Sequence, residues 1–301
     1  MDFLHGAMIL AAPLLLAALG ELISERAGVL NIGIEGMMLC GALAAFMGAH
    51  ATGSAVVGLC AAVIAGIVMA AIFAVMTVVL RADQVITGTG VNLVGLGLTG
   101  AIYRASFSLS SATLSITPLG IVKWPVLGSI PVFGPILFSQ NPLVPISLAL
   151  APVIWWFLYR TRTGLMLRAC GEKPEAADTA GYSVVRLRFL AVLIGGALAG
   201  LGGGYLSVAQ GNTFVEGMTN GRGFIALALV IFGRWNPWGM AAGALFFGLA
   251  AQCKYALPGT GIGVSPQVIE MVPYAATLLA LALFRRDGAS GPAALAKPYR
   301  R

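Results

Sequence analysis

Long apolar runs separated by short polar or glycine-rich breaks set the pattern of this chain. They cover residues 7–24, 29–48, 54–80, 85–103, 143–159, 189–209, about 213–233, 238–257 and 268–284. Each is close to the ~20 residues that a helix needs to cross a hydrocarbon core of about 30 Å. The runs lack the alternation of an outer-membrane strand, so they predict an all-α, polytopic helical membrane protein of about nine spans (eight to ten). Two stretches break the pattern. Residues 104–142 carry Trp124-Pro125, Pro131, Gly134-Pro135 and Asn141-Pro142, and read as a loop with short interfacial helices anchored by Trp124 and Phe133. In 213–233 the apolar core Phe224–Phe232 is too short to span alone and follows Gly217, Gly221 and Gly223, which predicts a broken or re-entrant helix.

Charge adds orientation. Only 10% of the 301 residues are charged and 58% are hydrophobic, against about a quarter charged in a soluble domain. The first run has only Asp2 and His5 ahead of it and ends on Glu21, Glu25 and Arg26, so it reads as a retained span rather than a signal peptide. The longest charged interval is 160–188, where Arg160, Arg162, Arg168, Lys173, Arg186 and Arg188 alternate with Glu172, Glu175 and Asp178. Cationic loops between spans face the cytoplasm. Placing this loop inside also places Arg26, Arg81, Arg234, Arg285, Arg286, Lys297, Arg300 and Arg301 inside. Arg104, Lys123, Arg222 and Lys254 remain outside, a ratio of 14 to 4. The N-terminus is therefore expected outside, the C-terminus in the cytoplasm, and the number of spans odd. Topology accounts for the net charge of +7, and no nucleic-acid partner is expected. Residues 1–286 read as a single membrane domain with the cytoplasmic loop 160–188, and 287–301 as a flexible cytoplasmic tail.

The chemistry of catalysis is not legible. Cys40, Cys60, Cys170 and Cys253 are scattered, His5 and His50 form no ligand spacing, and no nucleophile–base pair stands out. No catalytic residue, metal or cofactor is expected. No G-x-x-x-x-G-K-[ST] phosphate loop occurs, so any ATP would be bound by a separate subunit. The polar residues inside apolar runs carry more. Asn31 and Glu35 lie one helical turn apart at the start of the second run, and Thr87, Thr89 and Asn92 open the fourth. They either cap helices and bond one another across the bundle or line a route for a polar solute. Gln210, Asn212, Glu216, Asn220 and Glu270 lie toward the outer face, where solvation or a docking solute or protein explains them. Gly196, Gly200 and Gly204 recur on one helical face and let another helix approach closely, within the chain or between subunits. Within the charged loop, 173–180 reads as a short helix with Pro174 in its first turn, acidic residues near its N-terminus and Gly181 ending it.

Two motifs carry a resemblance. Glu25-Arg26-Ala-Gly-Val-Leu-Asn31-Ile-Gly-Ile-Glu35-Gly-Met-Met resembles the opening of permease subunits of ATP-binding-cassette importers in the branched-chain amino acid, ribose and nucleoside superfamily. Its form is similar to the nucleoside and simple-sugar branch. Thr163-Gly164 through Arg168-Ala-x-Gly171-Glu-x-Pro174-x-Ala-Ala-x-x-Ala-Gly181 resembles that family's cytoplasmic coupling helix. The resemblance spans roughly residues 15–285. It implies a fold related to the vitamin B12-type importers and a location in the cell (inner) membrane among its lipids. Two permeases, commonly different but related, would surround one pathway, with two ATPases beneath and an external solute-binding lipoprotein; this chain resembles the shorter permease. Coupling to the ATPase would fall on Arg168, Gly171, Glu172, Pro174, Glu175, Ala177, Asp178 and Gly181. Asn31, Glu35, Thr87 and Asn92 are the pathway candidates. The implied cargo is a nucleoside or purine, with simple sugars or branched-chain amino acids as alternatives. A rival of another class is a stand-alone ion-coupled carrier or channel, which would hold ionisable ligands near mid-membrane. Glu35 is one such group, but most other charges sit at span ends.

Overall fold

A computed structural model describes residues 2–107, 115–120, 140–256, 271, 275 and 291–299, and among these there is helix and turn but no strand. In chain order the helices are α1 (Asp2–Arg26), α2 (Ile34–Thr52), α3 (Ala55–Ala74), α4 (Gln84–Phe107) and α5 (Leu143–Arg160). After them come α6 (Arg162–Glu172), α7 (Pro174–Thr179), α8 (Val184–Tyr205), α9 (Arg222–Phe232) and α10 (Pro237–Ala256). Short π-helical turns, Val75–Val79 and Leu206–Gly211, prolong α3 and α8. Among the described residues six helices are long and apolar enough to cross a membrane: α1 to α5 and α8. α9 is apolar but shorter. The first eight apolar runs of the sequence thus coincide with helices. The ninth, 268–284, lies outside the described residues apart from 271 and 275, as do Trp124 and Phe133.

One boundary differs from its expectation. α2 begins at Ile34, not near residue 29, because residues 27–33 form a turn in which Gly28 takes φ +90°. That left-handed backbone favours a residue without a Cβ. Asn31 therefore precedes the helix and does not share a helical face with Glu35.

α1 and α8 form the centre of the bundle. α1 packs along α8, α10, α9 and α5, and α8 packs in addition along α2 and α3. α1 is apolar nearly all round, as a helix enclosed by others should be. The small residues of α8 set its spacing to α3. Gly200 lies against the Ala62 carbonyl and Gly66, while Gly41 of α2 reaches it from the other side. A Cβ at Gly200 would overlap backbone. Gly196 meets Gly66 and Ala70, and Gly204 meets Ala62 and Ala45, so this glycine face packs within the chain. Outward, α3 and α4 expose Ile64, Val68 and Ile72, and Ile86, Leu93 and Val94. Those faces are suited to lipid or another apolar helix.

At one end of the bundle several chain segments converge on three arginines, two half-buried and one buried. Arg26 donates to the Trp235 carbonyl (2.7 Å from Nη2) and to the Tyr159 hydroxyl (3.0 Å). Arg168 donates from Nε to the Leu158 carbonyl at 3.0 Å and lies 4.8 Å from the Tyr159 ring centroid. Arg188, 2% exposed, donates to three carbonyls: Ala27 (3.1 Å), Lys297 (2.9 Å) and Cys170 (3.4 Å). Residues 291–299, part of the stretch expected as a flexible tail, pack here. The Ala294 N–H donates to the Gly171 carbonyl at 2.8 Å, and Pro292 and Ala294 are buried. Backbone partners at both ends of this segment, rather than its composition, hold it in place.

Candidate functional site

The Glu25–Glu35 motif is built around a largely buried turn. Its backbone N–H groups need partners, and side chains of α1, of α4 and of the turn itself provide them. Glu21 Oε1 accepts the Asn31 N–H (2.8 Å), Gln84 Oε1 accepts the Leu30 N–H (2.8 Å), and Asn31 Oδ1 accepts the Gly33 N–H (3.1 Å). Glu25 accepts a hydrogen bond from the indole Nε1 of Trp235, which ties α1 to the α9–α10 turn. Asn31 is fully buried and donates to the Met37 sulfur at 3.3 Å.

Glu35, in the first turn of α2, reaches across to α9. Its two carboxylate oxygens accept the N–H groups of Gly221 (2.8 Å) and Gly223 (2.6 Å). The first N–H groups of a helix have no partner within it and carry a partial positive charge, so a carboxylate there satisfies both needs. Asn92 of α4 braces the same corner, accepting the Gly36 N–H at 2.8 Å and donating to the Ile32 carbonyl at 2.9 Å. Between these elements lies an open cavity of about 330 Å³, lined among others by Glu35, Thr89, Asn92, Asn220, Leu93 and Phe224. The structure thus brings Glu35 and Asn92 together at one wall. Asn31 is enclosed behind it, and Thr87 does not line the cavity, whereas its neighbour Thr89 does. Amide, hydroxyl and carboxylate groups beside an exposed phenyl ring can hold a polar solute that has an apolar face.

The second assembly is α6 and α7, which enclose a groove of about 680 Å³. Leu165, Met166, Ala169 and Ala177 supply its apolar surface, and Arg162 and Lys173 stand at its edge. Thr161 caps α6, accepting the Gly164 N–H at 3.1 Å. Pro174 opens α7, Glu175 lies in its first turn, and Gly181 follows it with φ +87°. Of the coupling candidates, Gly171, Pro174 and Ala177 face inward, Arg168 and Asp178 are half-buried, and Glu172, Glu175 and Gly181 are exposed. Gly171 sits against the Arg26 carbonyl, and the Glu172 carboxylate accepts the Ala293 N–H at 3.3 Å. Burial raises the Cys170 thiol above its ordinary pKa, with the nearby Arg188 guanidinium pulling the other way.

At the opposite end Arg104 pairs with Glu216 at 3.4 Å. Gln210 accepts a bond from Arg222 at 3.4 Å, and the Asn212 carbonyl accepts the Ile116 N–H at 3.0 Å. Glu270 lies outside the described residues. Among the described residues no group of three or more His, Cys, Asp or Glu side chains can hold a metal ion. Sequence reasoning did not single out Glu21, Glu25, Arg188 or Trp235 as site residues. The available signal was a pair of carboxylates one helical turn apart inside an apolar run, a costly placement that calls for a buried partner.

The family model described as "Branched-chain amino acid transport system / permease component" matches residues 3–281. The chain is 39% identical to a Haloferax volcanii protein provisionally named a glucose ABC transporter permease, over 97% of this chain and 95% of that one. It is 38% identical to a guanosine ABC transporter permease protein of Bacillus subtilis, over 97% and 94% of the two chains. A nucleoside ABC transporter permease protein of Lactococcus lactis is 33% identical, over 92% and 90%. No solved structure matches.

Proposed function

The chain belongs to the permease-component family of branched-chain amino acid transport systems, and we propose that it forms one half of the translocation pathway of an ATP-driven importer for nucleosides or purines. It is a multi-pass membrane permease. The proposed arrangement has nine spans, an external N-terminus, a cytoplasmic C-terminus and a vitamin B12-importer-like fold. The gathering of Arg26, Arg168 and Arg188 at one end, with the Arg104–Glu216 pair at the other, supports its orientation. In this arrangement α9 is a re-entrant half-span: its 11 residues rise only about 16 Å. Glu35 then caps a helix end that lies at membrane depth.

The cavity beside Glu35 is the proposed pathway surface. It sits partway along α4, with Asn92 about 12 Å from the start of that helix at Gln84. Polar groups open to lipid are costly, so a second, related permease covers this side and completes the route. Asn92 and Glu35 act as its polar wall, while Asn31 and Thr87 have supporting positions. The names of the guanosine and nucleoside relatives support the cargo. The glucose-named relative supports a second reading, simple sugars.

The observation that carries the coupling role is the α6–α7 groove, an apolar floor with charged edges at the basic end. A separate cytoplasmic ATPase, which holds the ATP, docks there, and an external solute-binding lipoprotein delivers cargo at the other end. Glu175 and Asp178 supply polar contacts to the ATPase. Co-purification of the ATPase with the Glu175→Lys/Asp178→Lys permease tests this. Loss of the ATPase from a normally inserted permease is the expected result, and unchanged recovery would remove the docking role.

A further inference from the structure

Arg188 and residues 291–299 have no part in either surface, yet they join the segments that a coupled permease must move together. Arg188 is buried inside the first turns of α8, and its guanidinium bonds carbonyls of the α1–α2 turn (Ala27), the end of α6 (Cys170) and the C-terminal segment (Lys297). The same C-terminal segment binds α6 a second and third time, through Ala294 N–H to the Gly171 carbonyl and Ala293 N–H to the Glu172 carboxylate. Gly291 packs on the Trp235 ring, whose indole holds Glu25 of α1. Tyr299 packs against the small cluster of Cys170, Ala177 and Val184, which joins α6, α7 and α8.

We propose that residues 291–299, locked by Arg188, are a clamp that transmits movement of α6–α7 to the α1–α2 turn and thereby to the cavity wall at Glu35. The groove surface gives α6–α7 a partner, but those two helices touch α1 only at a few points. Without residues 291–299, α6 still meets α5 through Arg168 and the Leu158 carbonyl, but it reaches α1 and the α1–α2 turn only through Gly171 at the Arg26 carbonyl and through the Arg188 guanidinium between Cys170 and Ala27. With it, three chain segments share one guanidinium and move as a unit. The segments are far apart in sequence, so the contact is tertiary rather than a local turn. Arg188 is thus a positioning residue that acts through the backbone of its neighbours and touches no solute.

The clamp rests on the docking role of α6–α7, and its test separates the two. The full permease, co-expressed with its partner permease and ATPase, is placed in proteoliposomes with the solute-binding lipoprotein and guanosine. Two variants, a stop replacing Gly291 and Ala294→Pro, which deletes the N–H that Gly171 accepts, are compared with Glu175→Lys/Asp178→Lys. Both clamp variants should keep the ATPase bound and hydrolysing ATP at the basal rate, while receptor-stimulated hydrolysis falls about tenfold, within the usual span of coupling between sites. Full stimulation in the truncated chain would overturn the clamp. Loss of ATPase binding in Ala294→Pro would also overturn it, by making the segment part of the docking surface. Normal ATPase binding in Glu175→Lys/Asp178→Lys would instead overturn the docking role.

Discussion

The carboxylate of Glu35 lies 2.6 Å from the backbone nitrogen of Gly223, 188 residues away in sequence. With its second bond to Gly221, it closes the N-terminal end of α9 from a different helix. Leaving two N–H groups unpartnered at that depth should cost about 2–4 kcal/mol. Glu35→Ala should therefore unfold well below the wild type on thermal denaturation in detergent. Glu35→Gln, which keeps one acceptor, should fall between them. Equal melting of all three would show that the cap contributes nothing.

The spacing of α8 and α3 depends on residues without side chains. Gly200→Val would drive a branched side chain into the Ala62 carbonyl and Gly66, and overpacking of this kind costs about 3 kcal/mol. Gly97, with nothing within 4 Å of its Cβ position, is the control, and its alanine variant should change stability by about 1 kcal/mol or less. Yields of folded, monodisperse permease measure both. Normal yield of Gly200→Val would contradict the packing.

Much of this was legible in the chain. Eight apolar runs mark eight helices, and the glycines before Phe224 mark the shortened α9. Pro174 and Gly181 bracket α7 because their backbone preferences act locally. The turn at residues 27–33 was not legible as a turn, since Val29, Leu30 and Ile32 continue the apolar pattern while Gly28 breaks the backbone. The partners of Glu21, Glu25 and Arg188 were equally hidden. Each bonds a group brought near only by tertiary packing, as Glu25 does with the Trp235 indole and Arg188 with the Lys297 carbonyl, 109 residues away. The same holds for the clamp segment, whose Gly-Pro-Ala composition resembles a free tail.

Orientation can be read with single cysteines. In a chain stripped of Cys40, Cys60, Cys170 and Cys253, Thr52→Cys at the end of α2 should react with a membrane-impermeant reagent on intact cells. Thr179→Cys at the end of α7 should react only after permeabilisation. Both positions are exposed, so access is decided by side. Labelling of Thr179→Cys from outside would reverse the proposed topology.

Cys170 reports on the clamp. Burial raises its thiol pKa, and the thiolate is the reactive form. In a chain with Cys170 alone, the rise of N-ethylmaleimide labelling should occur at higher pH than in the unfolded chain, near the ordinary ~8.5. Removing residues 291–301 should shift that rise back toward the ordinary value. The same pH dependence in the native and unfolded chains would contradict the enclosed environment.

Transport itself decides between an ATP-driven importer and a carrier working alone. Uptake of radiolabelled guanosine into proteoliposomes holding this permease, its partner permease and the ATPase, with the solute-binding lipoprotein outside, is measured with and without ATP. The account predicts uptake that requires ATP and is lost in Glu175→Lys/Asp178→Lys. Guanosine uptake by this chain alone, driven by a sodium or proton gradient without ATP, would contradict it.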